Sequence, residues 1–86
     1  MRHFTTKRFW ECFNSLPERI QGLALANYEL LKQNPEHPSL QFKQVFHGRF
    51  RSVRVGVHYR ALGVPVPEGV QWFWIGSHAE YDALIG

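Results

Sequence analysis

Two periodicities divide the chain. Between residues 18 and 33 the apolar positions Ile20, Leu23, Ala24, Leu30 and Leu31 recur at helical spacing, with Asn27 on the same stripe. Ser15-Leu16-Pro17-Glu18 ahead of them has the form of a capping box with proline in the first turn, and Gln33-Asn34-Pro35 is a stop. Thr6 is placed to cap a shorter helix reaching about Phe13, with Phe9, Trp10 and Phe13 on one side. The period then changes to two. Leu40 to His47 and Phe50 to Leu62 are expected as strands around a Gly48-Arg49 turn, and Val53, Val55, Val57 and Tyr59 alternate with Arg54, Gly56, His58 and Arg60. A loop over Gly63–Gly69, containing Pro65 and Pro67, leads to a third strand from Val70 to Gly76. Ser77-His78-Ala79-Glu80 is a second capping box, opening a short helix with Tyr81, Leu84 and Ile85. The expected fold is α+β in the order α-α-β-β-β-α: an N-terminal helical hairpin on one face of a small antiparallel sheet, then a short C-terminal helix.

Composition narrows the function classes. Eighty-six residues suit a single domain over 1–86, too small for a dinucleotide fold or a kinase. No apolar run approaches the roughly 20 residues of a membrane span, and no secretory segment follows Met1, so a cytoplasmic protein without a membrane partner is expected. The single Cys12 excludes an internal disulfide, and five histidines without cysteine partners or paired carboxylates argue against a metal. No cofactor is expected. The net charge of +3 is uneven. Residues 37–67 hold no Asp or Glu, while five of the ten Lys and Arg, namely Lys43, Arg49, Arg51, Arg54 and Arg60, lie there with His47 and His58. Such a block suits a polyanionic partner, or else a solvated basic face.

Strand register turns this block into a candidate site. With Gly48-Arg49 as the turn, His47 lies opposite Phe50 and Lys43 opposite Arg54. With a symmetric 63–69 loop, Arg60 lies opposite Trp72, His58 opposite Trp74 and Arg54 beside His78, while Phe73 and Ile75 join Tyr59 and Val57 on the apolar face. Lys43, Arg54, His58, Arg60 and His78 then share the sheet face away from the helical hairpin. Those residue types suit metal-independent cleavage of an RNA phosphodiester, which needs a base for the 2′-hydroxyl, an acid for the leaving oxygen and cations for the phosphorane. Arg54 and Arg60 can fork onto phosphate, Lys43 supplies a point charge and His78 a neutral imidazole, while Tyr81 offers a ring or a hydroxyl. Blander readings stand beside these. His58 can simply bond a neighbouring strand, Trp72 and Trp74 can be core under Leu84 and Ile85, and Arg49 and Arg51 can be solvated hairpin charges. Glu80 is explained as a cap, and Asp82 can orient His78 or be surface.

Leu16-Pro17, Asn34-Pro35, His37-Pro38-Ser39-Leu40, Val53-Arg54-Val55, His58-Tyr59-Arg60-Ala61-Leu62-Gly63 and Trp74-Ile75-Gly76-Ser77-His78-Ala79-Glu80-Tyr81-Asp82 together resemble the RelE/ParE toxin superfamily, nearest its HigB-like and small His-Ala-Glu-Tyr-Asp branches. The likeness runs over nearly the whole chain. It implies the toxin of a bacterial type II toxin–antitoxin pair, with a cognate antitoxin and mRNA on the ribosome as partners. It also implies ribosome-dependent endoribonuclease activity. Arg60 matches the phosphate-binding strand arginine, His78 the side chain after the last strand, Lys43 the first-strand lysine and Tyr81 the C-terminal tyrosine; Arg54, His58, Arg51, Arg49 and His47 remain as further RNA-binding candidates. The chain departs from RelE-like members in having fewer cations at its end. The superfamily also holds ParE-like gyrase poisons, and a catalytically inactive binding module for an acidic partner is a third alternative.

Overall fold

The structure, a computed structural model, describes residues 1–85. Its elements are β1 (Arg2–Thr5), α1 (Lys7–Asn14), α2 (Glu18–Gln33), a 3₁₀ turn (Pro38–Leu40), β2 (Lys43–Val45), β3 (Phe50–Val55), β4 (Tyr59–Val66), β5 (Gly69–Ser77) and α3 (His78–Ile85). The strands form one sheet in the order β1-β5-β4-β3-β2. The helical hairpin covers one face and α3 crosses the other, so the α+β architecture is the expected one.

The helices follow their signals. The Thr6 hydroxyl accepts from the Phe9 N–H at 3.1 Å and starts α1. The Ser15 box does not form: Ser15 instead ends α1, its hydroxyl donating to the Glu11 carbonyl at 3.2 Å, and α2 starts after Pro17 with no side-chain cap. Gln21 takes over at the corner, donating from Nε2 to the carbonyls of Phe13 and Leu16 at 3.2 Å.

The sheet corrects the expected one in three places. First, the strand expected over Phe50–Leu62 is a hairpin, folded back at Gly56-Val57-His58, where Gly56 has φ +64°. Glycine enters that region without steric cost, and the continuous alternation hid the break. Val53 now pairs with Ala61 and Arg54 with Arg60. Second, β5 carries a bulge. Leu62 pairs with Trp74 but Gly63 with Trp72, leaving Phe73 as the extra residue. Trp72 and Ile75 therefore face the helical hairpin, while Phe73 and Trp74 face α3, against the expected Trp72/Trp74 and Phe73/Ile75 partition. Third, β1 adds a parallel edge strand beside β5, from Arg2↔Gly69 to Thr5↔Trp72. Four residues at the chain start carry no alternation long enough to announce it.

Turn geometry moves the remaining registers. The β2–β3 turn spans Phe46 to Arg49, pairing Val45 with Phe50 and Lys43 with Ser52 instead of His47 with Phe50 and Lys43 with Arg54. The β4–β5 turn is two residues, Pro67-Glu68, so Arg60 lies opposite Gly76 and not Trp72. Both slips are by an even number of residues, so Lys43, Ser52, Arg54 and Arg60 keep the same face. His58, expected opposite Trp74, sits exposed in the β3–β4 turn.

The main core joins Phe13, Ala24, Leu31 and Leu40 to Val53, Val55, Ala61, Val70, Trp72 and Ile75. At its β1 edge Trp72 donates from Nε1 to the His3 Nδ1 at 3.1 Å, and the two rings stack 6.2 Å apart. That bond needs neutral His3. Its pKa lies below the ordinary 6.5, chiefly through burial, with the N-terminal ammonium and Lys32 adding. The unfolded chain thus takes up this proton more readily than the folded one. The His3 contribution to stability is fully present above pH 6.5 and is lost as the pH falls through the lower folded value. Thermal melting followed against pH is expected to show wild-type stability falling more steeply below pH 6.5 than that of a His3→Phe variant.

Candidate functional site

Beneath α3 the sheet buries a cation. Arg60, 3% exposed, lies on β4 beside the buried Ser52 of β3. Its Nε donates to the Ser52 hydroxyl at 2.8 Å, Nη1 to Gln41 Oε1 at 3.4 Å and Nη2 to the Gln41 carbonyl at 3.3 Å. Gln41 reaches inward because it holds a left-handed backbone, φ +45°, directly after the 3₁₀ turn. The guanidinium lies 5.2 Å from the centroid of the Tyr81 ring, which is itself buried against Leu62 and Trp74. Burial lowers the Arg60 pKa from its ordinary value, Tyr81 and Asp82 oppose that shift and Arg54 adds to it. Arginine nonetheless stays charged, so a fixed positive charge sits under the start of α3.

The capping box at that start forms as expected. Glu80 Oε1 accepts from the Ser77 N–H and hydroxyl, both at 3.0 Å, and the Ser77 oxygen accepts from the Glu80 N–H at 3.1 Å. These bonds hold the Glu80 carboxyl below its usual pKa. The His78 N–H donates to the His58 carbonyl at 2.6 Å, tying α3 to the β3–β4 turn. One turn on, Asp82 Oδ2 lies 3.1 Å from His78 Nδ1. The carboxylate accepts from Nδ1–H, so Nε2 of the neutral ring is left as the acceptor. His78 is exposed, and its ring centroid stands 5.7 Å from that of Tyr81.

Arg60 and His78 therefore flank the same tyrosine from the sheet side and the solvent side. Lys43 is exposed on the outer strand, paired with the Ser52 that Arg60 grips. Arg54 is half-buried; its Nε donates to the Gly56 carbonyl at 2.8 Å, drawing it toward the β3–β4 turn. Arg51 alternates with Ser52 and so belongs to the other face, where its Nη1 donates to the carbonyls of Gly48 and Phe50 at 2.9 and 3.3 Å. His47 and Arg49 stand exposed in the β2–β3 turn, outside the Arg60–Tyr81–His78 group. His58 reaches that group through its backbone carbonyl. Ser52 and Gln41 were invisible as site residues: a small polar residue in an alternating strand and a glutamine after a turn carry no chemical signature until a buried arginine needs acceptors.

Arg60 has the contacts of a structural centre. Replacing it by alanine leaves Ser52 and Gln41 without their donor and removes the cation under Tyr81. Arg60→Ala is expected to lower unfolding stability by about 2–3 kcal/mol, read in a urea titration. Lys43→Ala, on the exposed edge, is expected to stay within about 0.5 kcal/mol of wild type.

Comparison with known proteins gives a consistent fold. The family model of the ParE-like toxin domain matches residues 18–83. Among solved structures, the chain resembles one from the RelB–RelE antitoxin–toxin complex of Methanococcus jannaschii, with TM-score 0.73 and 14% identity over 96% of this chain and 99% of that one. A copper-bound mutant toxin from Helicobacter pylori gives TM-score 0.63 and 18% identity, covering 93% of this chain and 97% of that one. The conserved hypothetical protein HP0894 of the same organism gives 0.60 and 16%, covering 92% and 96%. No curated protein matches the sequence.

Proposed function

Since the chain belongs to the ParE-like toxin domain family, we propose that this member is a cytoplasmic toxin that cuts mRNA on the ribosome and is held in check by a cognate antitoxin. The observation that carries the nuclease reading is the His78–Asp82 pair, standing on the same sheet face as Lys43, Arg54 and the buried Arg60. His78 Nε2 takes the proton of a ribose 2′-hydroxyl. The oxygen attacks the adjacent phosphorus, the bond to the 5′-oxygen breaks, and that oxygen takes a proton from solvent. The products are a 2′,3′-cyclic phosphate and a 5′-hydroxyl. Asp82 keeps His78 in the required tautomer and steadies the imidazolium that forms. Lys43 and Arg54 meet the phosphate oxygens. Arg60 acts from beneath, its charge placed through Tyr81 and not in contact with RNA, which makes it a positioning residue. An antitoxin partner is supported by the RelB–RelE likeness.

A second reading has its own support. The matching family model is named for ParE-like toxins, and the donors of Arg60 are engaged inside the molecule, so a poison of DNA gyrase fits a fold without a free arginine clamp. Expression of wild-type and His78→Gln protein, with mapping of mRNA 5′ ends, separates the two. The nuclease reading expects new 5′-hydroxyl ends within coding sequence, reduced by about 10²-fold or more in the variant, whose melting temperature stays at the wild-type value. Growth arrest with an intact message pool and broken or relaxed plasmid DNA sinks the nuclease and supports gyrase.

A further inference from the structure

The β2–β3 turn presents an aromatic side chain in an unusual way. Phe46 and His47 have φ +54° and +57°, followed by Gly48 at +81°. A bulky residue at positive φ is a strained arrangement that its surroundings must hold in place. Here it leaves Phe46 43% exposed. The exposed ring is not isolated. It stacks on Phe50 with centroids 5.6 Å apart and planes 22° from parallel, and Phe50 in turn meets Phe73 at 5.5 Å. Phe73 is available because it is the bulge residue of β5, turned to the α3 side of the sheet. The Arg49 guanidinium lies 5.8 Å from the Phe46 centroid, and the His47 ring 6.2 Å from it.

We propose that Phe46, backed by Phe50 and flanked by Arg49, is a base-stacking platform for single-stranded RNA, seating a nucleotide next to the one whose phosphate lies at Lys43 and His78. The inference deepens the RNA-directed reading and rests on it for the choice of strand. Three features favour nucleic acid as the occupant. The tip lies in the acid-free segment 37–67, and the turn itself carries Arg49 and no Asp or Glu. An exposed flat ring beside a cation suits bases, each of which has a π face, over a phosphate backbone. Phe50 and Ser52 also share one face of β3, two residues or roughly 7 Å apart. Lys43, opposite Ser52, thus stands between the aromatic tip and the Arg60 centre.

The test uses the purified chain and two fluorescein-labelled strands of equal length: a 2′-O-methyl oligouridylate, which cannot be cut by 2′-attack, and its abasic counterpart. Phe46→Asn removes the ring while supplying a residue that tolerates the left-handed backbone, so the turn is kept. It is expected to weaken binding of the base-bearing strand about tenfold and leave the abasic strand unchanged, while Phe46→Tyr binds both as wild type does. Arg49→Ala is expected to weaken both strands alike. The proposal is overturned if wild type binds neither strand, if Phe46→Asn leaves the base-bearing strand unaffected (as a tip serving a protein partner would), or if it weakens both strands equally. Because no cleavage is read, loss of the nuclease reading at His78 and loss of this one are seen in different experiments.

Discussion

The packing of α3 depends on one buried guanidinium. Arg60 enters a sheet interior that offers it a serine hydroxyl, a glutamine carbonyl and amide oxygen, and the face of a tyrosine ring. A charge in such a place is tolerable only if its donors are met. Among the described residues no buried side-chain nitrogen or oxygen lacks a partner. Meeting those donors fixes the surroundings in turn: Gln41 must hold its left-handed backbone, Ser52 must stay small, and Tyr81 must lie flat over the cation. The capping box at Ser77 and Glu80 then sets where the helix begins, which places His78 at the surface over the same tyrosine.

This arrangement divides the cations and the imidazole into two layers. The inner layer is Arg60 with Tyr81, dry and internally bonded. The outer layer is His78 with Asp82, Lys43 and the partly covered Arg54, open to whatever the protein meets. A charge held in the inner layer is felt more strongly than one in water, so it can bias the outer layer without touching a ligand.

Much of this is legible in the sequence. Thr6, the Ser77–Glu80 box, the helical stripe from Ile20 to Leu31 and the even-numbered face carrying Arg54 and Arg60, with Lys43 beside it, all read correctly, because caps and periodicity are local. The misses were non-local or depended on single residues. Gly56 interrupts an alternation that otherwise runs on, so a hairpin looked like one strand. The Phe73 bulge puts Trp72 and Trp74 on opposite faces and leaves no mark in the hydropathy pattern. β1 exists because β5, far along the chain, offers it an edge. The role of Arg60 changed most. As a residue type on a basic face it reads as a phosphate clamp, and only the acceptors contributed by Ser52 and Gln41 reveal an inward-facing ion.

The most direct measurement of this two-layer account is side-chain NMR during titration with a non-cleavable oligonucleotide. The Arg60 Nε–H, bonded to Ser52, should exchange slowly with water and keep its chemical shift, while the His78 imidazole and Lys43 ammonium signals move. An Arg60 Nε–H that exchanges at the solvent rate and shifts together with His78 would place the guanidinium at the surface and contradict the account.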